Sequence, residues 1–255
     1  MTDPSAQFVK TRADATVADF EAEAAGLRWL ADGGAPVPRI LAVKDDPPAL
    51  VIDRIEPGTL SDAGAAQLGR DLAAMHRAGA MSHGSLPPGS PDRTLRIGLA
   101  RLPVAERDDW HEFYTRDLVL PLVAQARDGG NLSAPDAAAI ESVCDRLSDL
   151  AGPPEPPARL HGDLWTGNVL AGPDGRRWLI DPAAYGGHRE VDLAMLRLFG
   201  APSERIFGAY QEAFPLVDGH ADRVALWQLL PLLVHAVLFG GSYGRAAGEA
   251  ARNFV

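Results

Sequence analysis

Three oxygen-bearing side chains stand at a spacing that could serve phosphoryl transfer. The segment RLHGDLWTGNVL, residues 159–170, holds Asp163 and, five positions later, Asn168, while IDPA supplies Asp181. In phosphotransferases with the pattern H-x-D-x-x-x-x-N, the aspartate accepts the proton of the attacking hydroxyl, and the asparagine and a later aspartate bind Mg²⁺ at the ATP phosphates. Oxygen-only ligands suit Mg²⁺ and argue against zinc. The spacing therefore predicts Asp163 as general base and Asn168 and Asp181 as Mg²⁺ ligands, rather than residues that only cap a β-turn.

Four further side chains near these motifs are candidates for supporting the site or the acceptor. We expect His161 to hold the loop by hydrogen bonds, because Asp163 already fills the role of the base. Trp165 could pack in the core or form a platform for a sugar or another acceptor ring. His188, in the turn AYGGHRE, is expected to line the acceptor pocket together with the region 82–130. Asp192 either favours the start of a helix electrostatically or braces the loop.

A kinase also needs a strand lysine that holds the ATP phosphates and a helix glutamate that orients this lysine. Lys10 ends the apolar run AQFVK, and Glu23 falls on the apolar face of the next predicted helix. An acid on an apolar face needs a partner, so the two residues are predicted to pair. Further along, IDRIEPG has the position of a hinge between two lobes. There, backbone groups of Asp53 and Ile55, with Arg54 between them, are expected to bind the adenine edge.

The N-terminal quarter of the chain is predicted to form a small α/β unit. Short apolar runs favour strands over 6–10, 37–43 and 49–55, with the last two forming an antiparallel hairpin. The intervening segment 14–34 is typical of a helix that ends at two glycines. This unit is predicted to span residues 1–55.

The remaining residues, 56–255, are predicted to form a larger and mainly helical unit. Helices are expected over 56–79, with Ser61 or Asp62 as the cap, over two parts of 106–150, and in three segments after Asp181. The stretch 82–95 is rich in Pro, Gly and Ser and is predicted to be a loop. The apolar run 224–239 is too short and too interrupted to cross a membrane, so we interpret it as a buried core helix.

Composition limits the classes of partner. A net charge of −10 argues against general electrostatic attachment to nucleic acid or to an anionic membrane. The chain has one cysteine, Cys144, so it has no intrachain disulfide and fits a reducing compartment. The segment MTDPSAQFVK lacks the apolar core of a secretory signal. These observations favour a cytoplasmic protein.

Several of these segments together resemble the fructosamine/ketosamine-3-kinase family, which has the aminoglycoside-phosphotransferase-like fold. The resemblance runs from about residue 7 to 254 and rests most specifically on LHGDLWTGNVL and IDPAAYGGHREVDLAMLRLFG, with FVK, FEAEAAGLRWLA and LVHAVLFGGSYG in support. It implies an α+β, two-lobed, protein-kinase-like fold with a small N-terminal sheet. It also implies that ATP and Mg²⁺ are used to phosphorylate the 3-hydroxyl of a ketosamine, either a small molecule or a glycated amine or protein, in a deglycation repair reaction.

One departure from the family pattern concerns the cover over the ATP phosphates. Family members have two strands and a Gly/Ser-rich turn before the lysine strand, whereas nine residues without glycine precede Lys10 here. The resemblance therefore predicts a shortened N-terminal lobe with weakened ATP affinity. Two alternatives stay open: a phosphotransferase for another hydroxyl, as in an aminoglycoside, choline or a sugar, and a non-catalytic nucleotide-binding relative. Retention of the five motif residues argues against the second, and Trp165 favours ketosamines over the first.

Overall fold

The N-terminal part is a three-stranded antiparallel sheet that packs against one helix. The structure, a computed structural model, describes residues 6–59 and 61–255. Strands β1 (Gln7–Lys10), β2 (Ile40–Asp45) and β3 (Pro48–Asp53) lie in the order β1-β3-β2, with Lys10 opposite Leu50. The predicted hairpin of β2 and β3 is present, although both strands begin and end at different residues from those predicted. Because β3 lies in the centre of the sheet and pairs with β1, this pairing fixes the position of Lys10 at the end of β1.

Helix α1 (Val17–Asp32) buries one apolar face on this sheet. Thr16 begins the helix with a capping box, in which its hydroxyl accepts a hydrogen bond from the Asp19 amide and the Asp19 carboxylate accepts one from the Thr16 amide. An apolar cluster then joins helix and sheet, formed by Phe20, Ala24, Leu27, Leu50 and Ile52. Because Phe20, Ala24 and Leu27 recur at helical spacing and pack on the sheet, they fix the rotation of α1 and thereby the direction of Glu23.

The described residues 61–255 are mainly helical and include three two-stranded sheets. The helices are α2 (Asp62–Arg77), α3 (Trp110–Glu112), α4 (Leu120–Asp128), α5 (Ala134–Asp145), α6 (Leu147–Leu150), α7 (Glu190–Leu198), α8 (Glu204–Ala213), α9 (Val224–Trp227), α10 (Leu229–Phe239) and α11 (Tyr243–Ala251). A π-helical stretch, Phe113–Val119, joins α3 to α4, and 3₁₀ turns occur at Thr166–Asn168 and Arg252–Phe254. The antiparallel pairs are β4 (Thr94–Ile97) with β5 (Ala100–Pro103), β6 (Ala158–Leu160) with β9 (Tyr185–Gly187), and β7 (Val169–Ala171) with β8 (Arg177–Leu179).

Two predictions of secondary structure need correction. The hairpin of β4 and β5 begins inside the stretch predicted as a loop and was not anticipated. The apolar run predicted as one core helix is divided into α9 and α10 at Gln228, whose side-chain amide donates to the Ala194 carbonyl. The run is mostly buried, as expected, but Phe239 at its end is exposed. None of the helices in the described part of the chain is long and apolar enough to cross a bilayer.

Candidate active site

The predicted catalytic loop follows β6 and is closed by its own polar side chains. The Asn168 side-chain amide donates to the Asp163 backbone carbonyl at 2.8 Å and to the Asp163 carboxylate at 3.1 Å. The His161 ring accepts from the Asp163 amide through Nδ1, at 3.3 Å, and its Nε2 lies 3.0 Å from the Ile180 carbonyl. Since a carbonyl can only accept, the proton of this buried histidine is assigned to Nε2. His161 thus holds the loop, as predicted.

Asp192 braces the same loop from the protein interior. Its carboxylate accepts from the backbone amides of His161 and Gly162, at 2.7 and 2.9 Å, and lies 3.2 Å from His76 Nε2. The other ring nitrogen of His76 contacts the Tyr210 hydroxyl at 2.8 Å. Of the two interpretations of Asp192, the geometry favours bracing of the loop.

Gly162 allows the loop to approach the chain that carries the second aspartate. Its φ is +80°, and a Cβ atom at this position would lie 2.0 Å from the Ala183 carbonyl oxygen. The residues after β8 therefore pack directly on the loop, with the Ala183 amide donating to the His161 carbonyl at 2.9 Å. This contact brings Asp181 beside the residues of the HGD motif.

Asp181 has an unusual backbone conformation for a residue other than glycine. Its φ of +56° lies in the left-handed region, which is costly for most residues and is found most often at functional sites. Its side chain is 43% exposed, and one carboxylate oxygen lies 2.9 Å from Lys10 Nζ. The tertiary structure thus holds Asp181 in a strained turn that directs its carboxylate toward the N-terminal sheet.

Lys10 joins the two parts of the molecule at this point. Its ammonium group donates to both carboxylate oxygens of Glu23, at 2.8 and 2.9 Å, in addition to its contact with Asp181. Burial raises the pKa of Glu23, and the charge of Lys10 opposes this rise. The predicted pair of Lys10 and Glu23 is therefore present as a buried ion pair next to Asp181.

One open cleft of about 290 Å³ is lined by the side chains of Lys10, Glu23, Asp163, Asn168 and Asp181. Trp165, 38% exposed, lines it beside Asp163. Among the groups in this cleft, the Asp163 carboxyl has a raised pKa of about 6, chiefly because it is withdrawn from water, with a smaller contribution from the negative charge of Asp181. A carboxyl with this pKa is ionised near neutral pH and is a stronger base than an ordinary aspartate.

Three charged lining residues of the cleft, Arg12, Asp19 and Arg96, were not predicted as site residues. Asp19, on α1, accepts from Arg96 Nε at 3.0 Å and from Arg101 at 2.8 Å, which joins α1 to the hairpin of β4 and β5. Arg12, two residues after Lys10, has no hydrogen-bond partner for its Nε among residues 6–59 and 61–255. Asp19 and Arg96 meet across 77 positions, so no local pattern could have indicated them. Of these residues, only Arg12 could have been suspected from the sequence, because it lies two residues after Lys10.

The predicted hinge lies outside this cleft, at the end of β3. The backbone amides of Asp53 and Arg54 already donate to the carbonyls of Arg39 and Ala6, both at 2.9 Å. Within the described chain, the Ile55 amide has no such backbone partner. The hinge residues are partly or fully exposed, which leaves their outer backbone edge open to a ligand.

The prediction that His188 lines the acceptor pocket is wrong. The side chain is buried and stacks on Trp227, with ring centroids 5.2 Å apart and Trp110 on another side. Its neighbour Arg189 is occupied by a bidentate ion pair with Glu155, at 2.6 and 2.7 Å. The turn AYGGHRE therefore contributes His188 to the core instead of the acceptor pocket, because Trp110 and Trp227 enclose the ring.

Comparison with known proteins agrees with this arrangement. The family model of fructosamine kinase matches residues 2–255, essentially the whole chain. The chain belongs to the fructosamine kinase family. As a member of a kinase family, it is a phosphotransferase enzyme.

Individual relatives of this kinase support the assignment. It is 37% identical over 235 residues to a probable ketoamine kinase of Thermus thermophilus, covering 92% of this chain and 82% of the relative. It is 32% identical over 239 residues to the probable ketoamine kinase YniA of Escherichia coli K12, covering 92% of this chain and 80% of that one. A crystal structure of a Thermobifida fusca protein, provisionally named a fructosamine-3-kinase, superposes with a TM-score of 0.88 at 44% identity, covering 97% of this chain and 84% of the other.

More distant structures show the same fold. The choline kinase LicA of Streptococcus pneumoniae superposes on the kinase with a TM-score of 0.60 at 17% identity, covering 97% of this chain and 85% of the other. The predicted fold class, an α+β protein-kinase-like architecture with a small N-terminal sheet and a larger helical part, is therefore confirmed.

Proposed function

We propose that this kinase transfers the γ-phosphoryl group of ATP to a hydroxyl of a ketosamine, and that this hydroxyl is the one on carbon 3. The observation that carries the proposal is the position of Lys10 Nζ, which bridges Glu23 and Asp181 in the cleft that also contains Asp163. A lysine from the N-terminal sheet, a carboxylate for the metal and a candidate base thus meet at one place. Family membership supplies the class of reaction, and the names of the relatives favour a ketosamine as acceptor.

Phosphate binding is assigned to cations from the N-terminal part. Lys10, oriented by Glu23, would contact the phosphates of ATP. The Nε of Arg12, which has no partner among the described residues, adds a second donor in the same cleft. Residues 1–55 would thus form the nucleotide-binding lobe and 56–255 the lobe that holds the base and the acceptor. The backbone of Asp53–Ile55 would bind the adenine edge, with the Ile55 amide, which has no backbone partner in the described part of the chain, as donor.

Asn168 and Asp181 are suited to hold Mg²⁺. The Asn168 side chain uses its amide nitrogen on Asp163, which leaves its oxygen free, and the half-exposed Asp181 supplies a carboxylate. Two protein oxygens are a normal set for Mg²⁺, which takes its other ligands from phosphates and water. When bound, the ion supplies charge neutralisation at the phosphates. The chain contributes the fixed position of both oxygens, through the His161 contacts and the strained turn at Asp181.

Asp163 is assigned as the general base for the acceptor hydroxyl. Its raised pKa of about 6 leaves it ionised at neutral pH and able to accept the hydroxyl proton as the oxygen attacks phosphorus. The Asn168 amide holds one carboxylate oxygen at 3.1 Å, which leaves the other free for the hydroxyl. The exposed Trp165 beside it would pack against the sugar part of the acceptor.

Product analysis with competing acceptors tests the proposal. Purified kinase would be incubated with MgATP and a fructose–amino acid adduct, choline or an aminoglycoside, and ADP release would be measured by a coupled assay. We expect turnover with the adduct, a phosphorus–proton coupling that locates the phosphate on carbon 3, and loss of turnover in Asp163→Ala but not in the exposed control Asp128→Ala. Efficient turnover of choline or an aminoglycoside without turnover of the adduct would contradict the proposed acceptor.

A further inference from the structure

A second cavity of about 300 Å³ lies beside the catalytic loop and shares no lining residue with the cleft. It is bounded by the starts of helices α2 and α8, by β8, and by two residues of the segment that carries Asn168. The polar residues of its lining are Ser61, Asp62, Thr166, Arg177 and Ser203. The proposed phosphoryl transfer uses none of them, so this cavity needs a separate explanation.

The central observation is an arginine without a partner. Arg177 is only 9% exposed, and its Nε has no hydrogen-bond partner in the described part of the chain. Burial lowers the pKa of this guanidinium, with no nearby carboxylate to oppose the effect. The acid in the lining, Asp62, is 74% exposed and is bound to Arg205 at 2.8 Å. A buried cation without a counter-charge is unfavourable unless an anion binds it.

Two helix N-termini point to the same kind of ligand. Helix α2 has 16 residues and begins at Ser61, and helix α8 has 10 residues and begins at Ser203. Each serine oxygen accepts a hydrogen bond from its own helix, at 3.0 Å from the Gly64 amide and 3.4 Å from the Arg205 amide. Neither hydroxyl donates a hydrogen bond within the described part of the chain, so each proton can be given to a ligand. The positive ends of the two helix dipoles add to the charge of Arg177.

We propose that this cavity binds a small tetrahedral oxyanion, phosphate or the phosphoryl group of a small metabolite. Arg177 supplies the charge and a forked set of N–H donors, and Ser61 and Ser203 supply hydroxyl donors. Thr166, whose hydroxyl holds the Phe199 carbonyl at 2.7 Å, lines the cavity from within the catalytic loop. An anion bound here touches that loop through Thr166, without entering the cleft. The inference does not depend on which acceptor the kinase phosphorylates.

Binding of inorganic phosphate to the full chain tests the proposal. Calorimetric titration at constant ionic strength, with chloride as the balancing ion, should give saturable binding of one phosphate per chain to the cavity. Arg177→Gln should weaken this binding by about tenfold or more, because a charge-assisted hydrogen bond is lost. The control Arg176→Gln removes the same charge from the preceding residue, which is exposed and stacks on Trp178. This variant should bind phosphate as the wild type does. No saturable binding, or equal weakening in both variants, would overturn the proposal.

Two further variants separate this site from the cleft and from a folding defect. Binding should persist in Lys10→Met; binding that is lost there and kept in Arg177→Gln would assign the phosphate to the cleft and overturn the proposal. If Arg177→Gln does not fold, Ser203→Ala should still show weakened binding, and unchanged binding would count against the site. Glycerol 3-phosphate that binds more tightly than inorganic phosphate would identify an esterified ligand, whereas weaker binding would identify the free ion.

Discussion

The carboxylates on the two sides of the catalytic loop have pKa values shifted in opposite directions. Asp192, on the interior side, is 1% exposed, and burial alone would raise its pKa; hydrogen bonds from His76 and from the Gly162 amide lower it instead. Asp163, on the cleft side, receives one side-chain amide, from Asn168, and burial raises its pKa to about 6. The deeper carboxylate is thus the stronger acid, because donors outweigh burial.

The comparison teaches that one short loop can carry a reactive carboxylate, Asp163, while a structural carboxylate from helix α7, Asp192, braces its other side. Both oxygens of Asp192 accept hydrogen bonds inside the protein, one from His161 and His76 and the other from Gly162, so this residue is held as a structural anion. Asp163 keeps an unused oxygen and a raised pKa, both of which a general base requires. A substitution on either side should therefore change different properties of the kinase.

The largest effect is expected for Asp163→Asn. Because the amide cannot accept the hydroxyl proton, kcat should fall by about 10³-fold while the KM for ATP changes little. Steady-state kinetics with a ketosamine acceptor measure both constants. The exposed control Asp128→Asn should retain full activity. A kcat within a few-fold of wild type would exclude Asp163 as the base.

The same variant should fold more stably than the wild type. The pKa of Asp163 is higher in the folded state than in the unfolded chain, so the stability contributed by its protonated form is lost as the pH rises from about 4 to 6, and the ionised group is unfavourable at pH 7.5. Removal of this charge should raise the free energy of unfolding by about 1 kcal/mol at pH 7.5, a value discounted for partial exposure of the site. Urea denaturation of both proteins measures the difference. Destabilisation by the variant would mean that the site favours the charged form.

On the interior side, Asp192→Asn should destabilise the folded state, the opposite of the effect expected for Asp163→Asn. The new side chain has one oxygen and one NH₂ group, so the NH₂ faces the backbone amide of either His161 or Gly162, which also donates. The free energy of unfolding should therefore fall by about 3 kcal/mol. Denaturant unfolding checks this value against Asp128→Asn, which should stay within about 0.5 kcal/mol of wild type. An unchanged midpoint would show that Asp192 does not brace the loop.

A smaller effect is expected when the cation of the cleft is removed. Lys10→Met should raise the KM for ATP by about tenfold, because the phosphates lose one charged donor and Glu23 loses its partner. The matched control is Lys44→Met, which removes the chain's other lysine from an exposed position on β2. ATP titrations of initial rate measure both variants. Equal KM values in Lys10→Met and wild type would remove Lys10 from the nucleotide site.

Much of the site was predictable from the sequence because its residues follow local rules. The spacing from Asp163 to Asn168 and the apolar run before Asp181 place these residues in turns beside paired strands. The apolar face of α1 gives the direction of Glu23, and the requirement of a kinase for a strand lysine paired with a helix glutamate gave Lys10 as its partner. The antiparallel pairing of β2 and β3 was likewise predictable from the turn signal between them.

The remaining parts depend on contacts that no local pattern encodes. Asp19 meets Arg96 only after α1 and the hairpin of β4 and β5 pack together, and neither partner stands in a motif. His188 was misjudged because a polar residue near a motif suggests a binding site, while its burial depends on Trp110 and Trp227 from distant segments. Long-range packing, not propensity, decided both cases.

The pH dependence of activity should reveal the reactive carboxylate. Because Asp163 must be ionised to accept a proton, kcat/KM should fall by about tenfold per pH unit below its pKa of about 6. Over the same range, between pH 4 and 6, the folded state binds this proton more tightly than the unfolded chain. The contribution of this group to stability therefore decreases as pH rises. Constant kcat/KM from pH 7.5 down to pH 5 would contradict the raised pKa.

The smallest effect is expected at the rim of the cleft, for Trp165→Leu. The Trp165 side chain is partly exposed beside Asp163, and the loop hydrogen bonds of this residue are made by its backbone, which the substitution keeps, so the variant should fold normally. Loss of a stacking surface should raise the KM for the ketosamine by about three- to tenfold, while the KM for ATP stays unchanged. Acceptor and ATP titrations of the same preparation separate the two constants. A larger change for ATP than for the acceptor would place Trp165 on the nucleotide side, and the acceptor pocket would then need another wall.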